Sequence, residues 1–248
     1  IFYSYRAFVD GLAWQVPAGG VAMWVLSQDA KPRFAHSLYA GATTWQIRGA
    51  GDFDGDTFAD VLWQLPTGQV ATWLLNADGS RKSSRVIYGA QTAWQARGAG
   101  DLDGDGIADL LWQLPAGQVA RWLMNPDGTM KAGGTIFAGT TAWLVRGAAD
   151  LDRDGVADIL WQLPTGQVSC WLMNANGARK AALPIFPGPT TWLLKGAADI
   201  DGNGVADLVW QSPVGSVVCW LLNADGSLKS AAMIYAGGTQ WMIRGAAN

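Results

Sequence analysis

Apolar residues along this chain come in short runs, and polar, glycine-rich stretches separate them at regular intervals. Between residues 92 and 137 the pattern predicts four strands. Thr92–Ala99 is apolar and centred on Trp94; it gives a first strand, a. The polar stretch Asp101–Asp109 follows as a loop. Leu110–Leu114 gives strand b, stopped by the turn signal Pro115-Ala116-Gly117. Gln118–Met124 gives strand c, and Asn125-Pro126-Asp127-Gly128 is a second turn, with glycine where a positive φ is wanted. A weaker strand d is expected around Thr135–Phe137. The runs are rich in Val, Leu, Ile and Trp and too short for helices. Strands b and c carry apolar residues on both faces, as a sheet covered on both sides requires.

The same pattern returns every 49 residues. Trp followed by Gln marks it at Trp14, Trp63, Trp112, Trp161 and Trp210. A second series is Trp24, Trp73, Trp122, Trp171 and Trp220, and a third is Trp45, Trp94, Trp143, Trp192 and Trp241; together they hold all 15 tryptophans. A basic series, Arg48, Arg97, Arg146, Lys195 and Arg244, keeps the same step. Four strands in a repeat of this length predict an all-β, five-bladed β-propeller with four antiparallel strands per blade, one domain over residues 1–248. An open solenoid would need polar, atypical caps. Instead Thr239–Ala247 is a strand a with no strand b after it, and Leu12-Ala13-Trp14-Gln15 is a strand b that lacks a strand a. Pairing the two closes the ring and leaves no edge at the seam. Tyr3 and Asn248 both fall at the repeat position of Asp52.

The loops between strands a and b carry the candidate chemistry. They span residues 52–60, 101–109, 150–158 and 199–207. Oxygen-bearing side chains recur at loop positions 1, 3, 5 and 9: Asp52, Asp54, Asp56 and Asp60; Asp101, Asp103, Asp105 and Asp109; Asp150, Asp152, Asp154 and Asp158; Asp199, Asp201, Asn203 and Asp207. Calcium takes 6–8 oxygen ligands in flexible geometry, and alternate positions of a tight loop can converge on one ion. The position-7 carbonyls of Phe58, Ile107, Val156 and Val205 can add a ligand, as in an EF-hand loop. Magnesium fits less well because it keeps several waters. Carboxylates clustered without a cation repel one another. Four calcium sites are therefore expected. Thr57 stands where glycine suits the turn, which predicts strain in the first loop, and Asn203 removes one carboxylate from the last. Blade 1 has Tyr3, Tyr5, Ala7 and Gly11 at the ligand positions and is expected to hold no ion. Its aromatic start, Ile1-Phe2-Tyr3-Ser4-Tyr5, either packs where the ion would sit or continues an upstream segment.

The stretch Gly100-Asp101-Leu102-Asp103-Gly104-Asp105-Gly106-Ile107-Ala108-Asp109-Leu110-Leu111-Trp112, repeated in four blades, resembles the FG-GAP/VCBS repeats of integrin α-subunit propellers and of many secreted bacterial proteins. The resemblance implies a propeller with calcium in the loop after the innermost strand, a secreted or cell-surface setting, and a role in adhesion or ligand binding. Some related propellers are lectins with sugar pockets between blades.

Composition narrows the function further. All 20 acidic residues are Asp, and 15 of them lie in the four loops. Net charge is −3, which gives no case for nucleic acid as a partner. No apolar run reaches the ~18 residues of a transmembrane segment. A chain that begins at Ile1 reads as a mature form or as part of a larger chain or assembly. Cys170 and Cys219, one repeat apart, are expected to be buried and without a disulfide, since equivalent points on neighbouring blades are too distant. One histidine, no Glu, and no Gly-x-Ser-x-Gly or phosphate loop argue against an enzyme. A binding module for a protein or glycan is the leading reading, and a non-catalytic scaffold within a surface assembly is the alternative. The series Trp45, Trp94, Trp143, Trp192 and Trp241 is the candidate for partial exposure and ligand contact, against a plain core role. Arg48, Arg97, Arg146, Lys195 and Arg244 either face the axis and attract an anion, or stack on Trp or pair with loop carboxylates. Calcium sites of extracellular affinity would stand mostly empty at cytosolic calcium levels, which also favours export.

Overall fold

The computed structural model describes residues 11–247 and contains 20 strands in five four-stranded antiparallel sheets. Blade 1 comprises β1 (Gly11–Gln15), β2 (Val21–Leu26), β3 (Pro32–Tyr39) and, from the far end of the chain, β20 (Met242–Ala247). Blade 2 is β4 (Gln46–Gly51), β5 (Asp60–Gln64), β6 (Val70–Leu75) and β7 (Arg81–Tyr88). Blade 3 is β8 (Gln95–Gly100), β9 (Asp109–Gln113), β10 (Val119–Met124) and β11 (Met130–Phe137). Blade 4 is β12 (Leu144–Ala149), β13 (Asp158–Gln162), β14 (Val168–Met173) and β15 (Arg179–Phe186). Blade 5 is β16 (Leu193–Ala198), β17 (Asp207–Gln211), β18 (Val217–Leu222) and β19 (Leu228–Tyr235). The expected closure is present: β20 pairs antiparallel with β1, Gly11 opposite Ala247 and Gln15 opposite Met242.

Burial falls from the second strand of each blade outward. Every residue of β5, β9, β13 and β17 is buried, whereas β11 is exposed over its first six residues. Two differences from the sequence reading stand out: strand a of blade 3 begins at Gln95, after Trp94, and strand d is longer than expected. Strand d runs over eight residues, Met130–Phe137, although only its end looks apolar. It owes its length to pairing with β10 rather than to its own composition.

The innermost strands pack in a closed ring, β4 on β8, β8 on β12, β12 on β16, β16 on β20 and β20 on β4. One glycine per strand permits the approach. A Cβ on Gly49 would lie 3.0 Å from the backbone nitrogen of Ala99, one on Gly98 would lie 2.9 Å from Gly147 Cα, and one on Gly245 would lie 3.2 Å from Ala50 N. The glutamine of each Trp-Gln pair fastens one blade to the next. Gln113 Nε2 donates to the Trp143 carbonyl (2.8 Å), and Gln113 Oε1 accepts from Val145 N–H (3.1 Å). Gln15, Gln64, Gln162 and Gln211 repeat this on β4, β8, β16 and β20, so the seam is stapled like every other boundary. The preceding tryptophans fill the core; Trp14, Trp63 and Trp161 are at most 2% exposed. Each packs at a tilt against the tryptophan of the next strand, with ring centroids 4.6–4.9 Å apart. Cys170 and Cys219 are buried and form no disulfide. Among the described residues no helix is long and apolar enough to cross a membrane.

Candidate functional site

Each aspartate loop joins the innermost strand of a blade to the next strand, and its backbone wraps around the position-1 carboxylate. Asp101 Oδ1 accepts N–H bonds from Asp103, Gly104 and Asp105, and Oδ2 accepts one from Gly106 (2.7 Å). The turn needs left-handed backbone, which Gly104 and Gly106 supply at φ 80° and 86°. Thr57 adopts φ 71° and Arg153 φ 65°, so the first and third loops store strain of roughly 1 kcal/mol or more at those residues. The strain expected at Thr57 is present, and Arg153 adds a second case. The apolar residues at positions 2 and 7 pin the loops to their neighbours: Leu102 shares a buried cluster with Val156. Ala157 N–H donates to the Asp101 carbonyl of the preceding loop (2.6 Å), which links the loops in series.

Three carboxylates per loop converge, those at positions 1, 3 and 9. Oxygens of Asp52, Asp54 and Asp60 lie within 4.8 Å of one another, as do those of Asp101, Asp103 and Asp109, of Asp150, Asp152 and Asp158, and of Asp199, Asp201 and Asp207. The position-9 aspartate is fully buried and is also a latch. Asp109 Oδ1 accepts from Met124 N–H and Oδ2 from Leu102 N–H, each at 2.8 Å, which ties the loop to β10. Burial pushes the carboxyls of Asp60, Asp109 and Asp158 up to about 7 and that of Asp207 to about 6; backbone donors oppose the rise and neighbouring aspartates add to it.

Position 5 lies outside these triads, and a lysine that the sequence reading missed holds it together with position 3. Lys82 Nζ reaches Asp54 Oδ2 and Asp56 Oδ2, both at 2.8 Å. Lys131 bridges Asp103 (2.7 Å) and Asp105 (2.6 Å) in the same way. Lys180 spans Asp152 and Asp154, and Lys229 holds Asp201 alone, because Asn203 has no charge to offer. The carboxylate pairs, and Asp201 alone for Lys229, raise the ammonium groups above the usual lysine range. The loops thus carry one internal cation each. That corrects the premise that only a divalent ion lets these acids coexist. The lysines keep the 49-residue period, which was the signal available in the sequence.

The lysine does not complete the site. Oδ1 of Asp54, Asp103 and Asp152 is buried and accepts no hydrogen bond. A buried carboxylate oxygen without a donor, beside two more carboxylates, is an acceptor set suited to a hard cation. The residues therefore fit calcium. The blade 1 equivalents Tyr3, Tyr5 and Ala7 lie outside the described residues; Gly11 begins β1.

Residues 52–112, the first aspartate loop through the Trp of the second, match the FG-GAP-like repeat family. The chain contains an FG-GAP-like repeat. Its other two aspartate loops share the motif and the five-bladed propeller that frames it. No curated protein matches the chain. Among solved structures, AofleA from Arthrobotrys oligospora is similar, with a TM-score of 0.53, 10% identity, and coverage of 96% of this chain and 75% of that one. A Bacteroides caccae protein of unknown function gives a TM-score of 0.44 at 15% identity over 90% of this chain and 72% of its own. The Photorhabdus luminescens Tc holotoxin pore gives 0.48 at 17% identity over 92% of this chain and 12% of that one. At these identities the likeness to AofleA is one of fold.

Away from the aspartate loops, the third tryptophan series is half-buried, and Trp45, Trp192 and Trp241 line cavities between blades. One, of about 330 Å³, lies among Tyr39, Thr43, Trp45, Trp63 and Trp73. Its repeat equivalents are a cavity of about 170 Å³ among Phe186, Thr190, Trp192, Trp210 and Trp220, and one of about 460 Å³ among Tyr235, Thr239, Trp241, Trp14 and Trp24. The aromatic residue contributed by the preceding blade belongs to a further series that the sequence reading missed: Tyr39, Tyr88, Phe137, Phe186 and Tyr235. The indole N–H groups of Trp14, Trp63, Trp112, Trp161 and Trp210 are buried and have no acceptor. Trp94 and Trp143 are likewise half-buried, in the two remaining repeats. The basic series neither stacks on tryptophan nor pairs with loop carboxylates among the described residues; the cation–π contacts present are Arg81 on Trp73 and Arg179 on Trp171.

Proposed function

We propose that this chain is a calcium-stabilised, non-catalytic binding module that works outside the cytoplasm and takes a carbohydrate in the aromatic pockets between its blades. The observation that carries this reading is the repeated pocket. Four aromatic residues and a threonine recur at three blade boundaries, and the innermost tryptophan of each pocket keeps an N–H donor without an acceptor. An aromatic face packs well against the apolar C–H face of a sugar ring, and a hydroxyl can accept from the indole. The proposed calcium ligands are the carboxylates at loop positions 1, 3 and 9 with the carbonyls of Phe58, Ile107, Val156 and Val205, and the position-5 side chains once lysine withdraws. The ions hold the blade frame and touch no ligand in the pockets. The domain is taken to be one propeller over the whole chain.

A glycan array probed with the calcium-loaded protein, followed by tryptophan fluorescence titration of any hit, tests the reading. Saturable binding is expected, weakened at least tenfold by the triple replacement Trp45→Ala, Trp192→Ala and Trp241→Ala. An array without hits, or a hit indifferent to these changes, would exclude carbohydrate binding in the pockets.

A further inference from the structure

The five cations of the basic series are each the extra residue of a β-bulge. In blade 2, Ile47 pairs with Trp63 and Gly49 with Leu62, so Arg48 is left out of the ladder. The pairing skips Arg97, Arg146, Lys195 and Arg244 in the same way. Bulges re-aim a side chain and are common beside functional sites. Here all five lie on the innermost strands, next to the glycines at which those strands meet around the axis. The cations therefore form a ring. Burial lowers the proton affinity of all five. Repulsion between neighbours adds to it, Arg48 feeling Arg97 and Arg244, Arg146 feeling Arg97, and Lys195 feeling Arg244 and Arg146. Those pairs close the circle.

Among the described residues no carboxylate forms an ion pair with any member of the ring. Nε of Arg48, Arg97, Arg146 and Arg244 is buried and donates to nothing. The acidic loops do not reach it, since Asp52 lies four residues along the strand from Arg48, roughly 13 Å. A half-buried ring of like charge with buried, idle donors is costly unless a counter-ion occupies it.

We propose that this ring is an oxyanion site on the propeller axis, one per chain, for a sulfate or phosphate group. Guanidinium forks match the paired oxygens of such a group, and its multiple charge serves several cations at once. The group arrives either as the free dianion or as the ester head of a larger ligand.

Calorimetric titration of the calcium-loaded protein with sodium sulfate, and separately with glucose 6-sulfate, tests this against sodium chloride of equal ionic strength; sulfate avoids precipitating calcium. One site per chain is expected. With a Kd of ~0.1 mM, 1 mM sulfate would raise Tm by about 3–6 °C. Binding of sulfate alone assigns the free ion, and binding of the ester, with or without sulfate, assigns an ester head. Binding of neither at 10 mM overturns the site. The double variant Arg97→Gln with Arg146→Gln is expected to lose the sulfate response and, relieved of repulsion, to melt higher than the wild type in sulfate-free buffer. A retained response, or a lower sulfate-free Tm, overturns the proposal. If that variant does not fold, Lys195→Gln serves with the same expectations and the same two refutations.

Discussion

The acidic loops follow directly on the innermost strands that carry the basic ring, a few residues further along, and both gather like charges. In the loops the repeat itself answers the charge. Backbone N–H groups cradle Asp101, two more hold Asp109, and Lys131 spans Asp103 and Asp105. In the ring nothing within the described protein answers it, and four guanidinium Nε atoms are idle. The loops therefore gather carboxylates that could hold a cation, in a metal-free form that is already tolerable. The ring is a site whose empty form is strained by its own field. A charge cluster can thus mean two things, and the inventory of partners, rather than the count of charges, separates them.

Removing calcium should give the largest effect on the loop side of this comparison. Four sites with Kd of ~10⁻⁴–10⁻³ M contribute roughly 2–6 kcal/mol at ~1 mM calcium. EDTA is then expected to lower the calorimetric Tm by about 5–15 °C. An unchanged Tm, with elemental analysis showing no bound metal, would remove calcium from the account.

Replacing the latch comes next. Asp109→Asn keeps the shape but turns one acceptor into a donor against a buried N–H, and should cost roughly 2–4 kcal/mol in EDTA as well as in calcium. Asp105→Asn, at the exposed position 5, should cost under about 1 kcal/mol in EDTA. Equal losses in urea denaturation would show that positions 5 and 9 do not differ in role.

The two regions also oppose each other in pH. Asp60, Asp109 and Asp158 rise in the calcium-free fold to about 7, above their ordinary 3.8. The folded state then holds protons that the unfolded chain releases, so stability falls as pH rises from about 4 to 7. Lys195 is lowered to about 8 from 10.5, so the unfolded chain holds the extra proton and stability recovers from about pH 8 to 10.5. A stability minimum near pH 7–8 in EDTA is expected from melts across that range. A monotonic curve would contradict it.

The smallest effect separates lysine from metal. Lys131→Met removes a cation that competes for Asp103 and should tighten calcium at that loop by about fivefold. Weaker calcium binding in the variant would mean that the lysine supports the ion instead of yielding to it.

Most of the frame was legible because it repeats. Three tryptophan series fixed the blade count, and the aspartate spacing located the loops between strands a and b. What was not legible depends on pairing between strands. Arg48 looks like any residue in a run; only the register of β4 against β5 makes it a bulge. Strand d hides because Lys131-Ala132-Gly133-Gly134 carries no apolar signal, yet β10 holds it extended. Lys82 and its equivalents keep the repeat spacing, but a lysine on an exposed strand has an ordinary explanation, and only the fold brings it over Asp54. Position 3 belongs both to the inward triad and to the lysine, which holds position 5 as well, and only the fold shows this sharing.

The pairing of β20 with β1 has a kinetic consequence. Four of the sheets are hairpin ladders of neighbouring strands, whereas blade 1 joins Gly11 to Ala247. The entropy of bringing together opposite ends of so long a segment must be met before the contact returns anything. The hoop is therefore expected to fasten after its sectors have formed, with a slow final phase in refolding. Until then both β1 and β20 present bare flanks on which a second chain could dock, so yield on refolding should fall with protein concentration even where the finished ring does not self-associate.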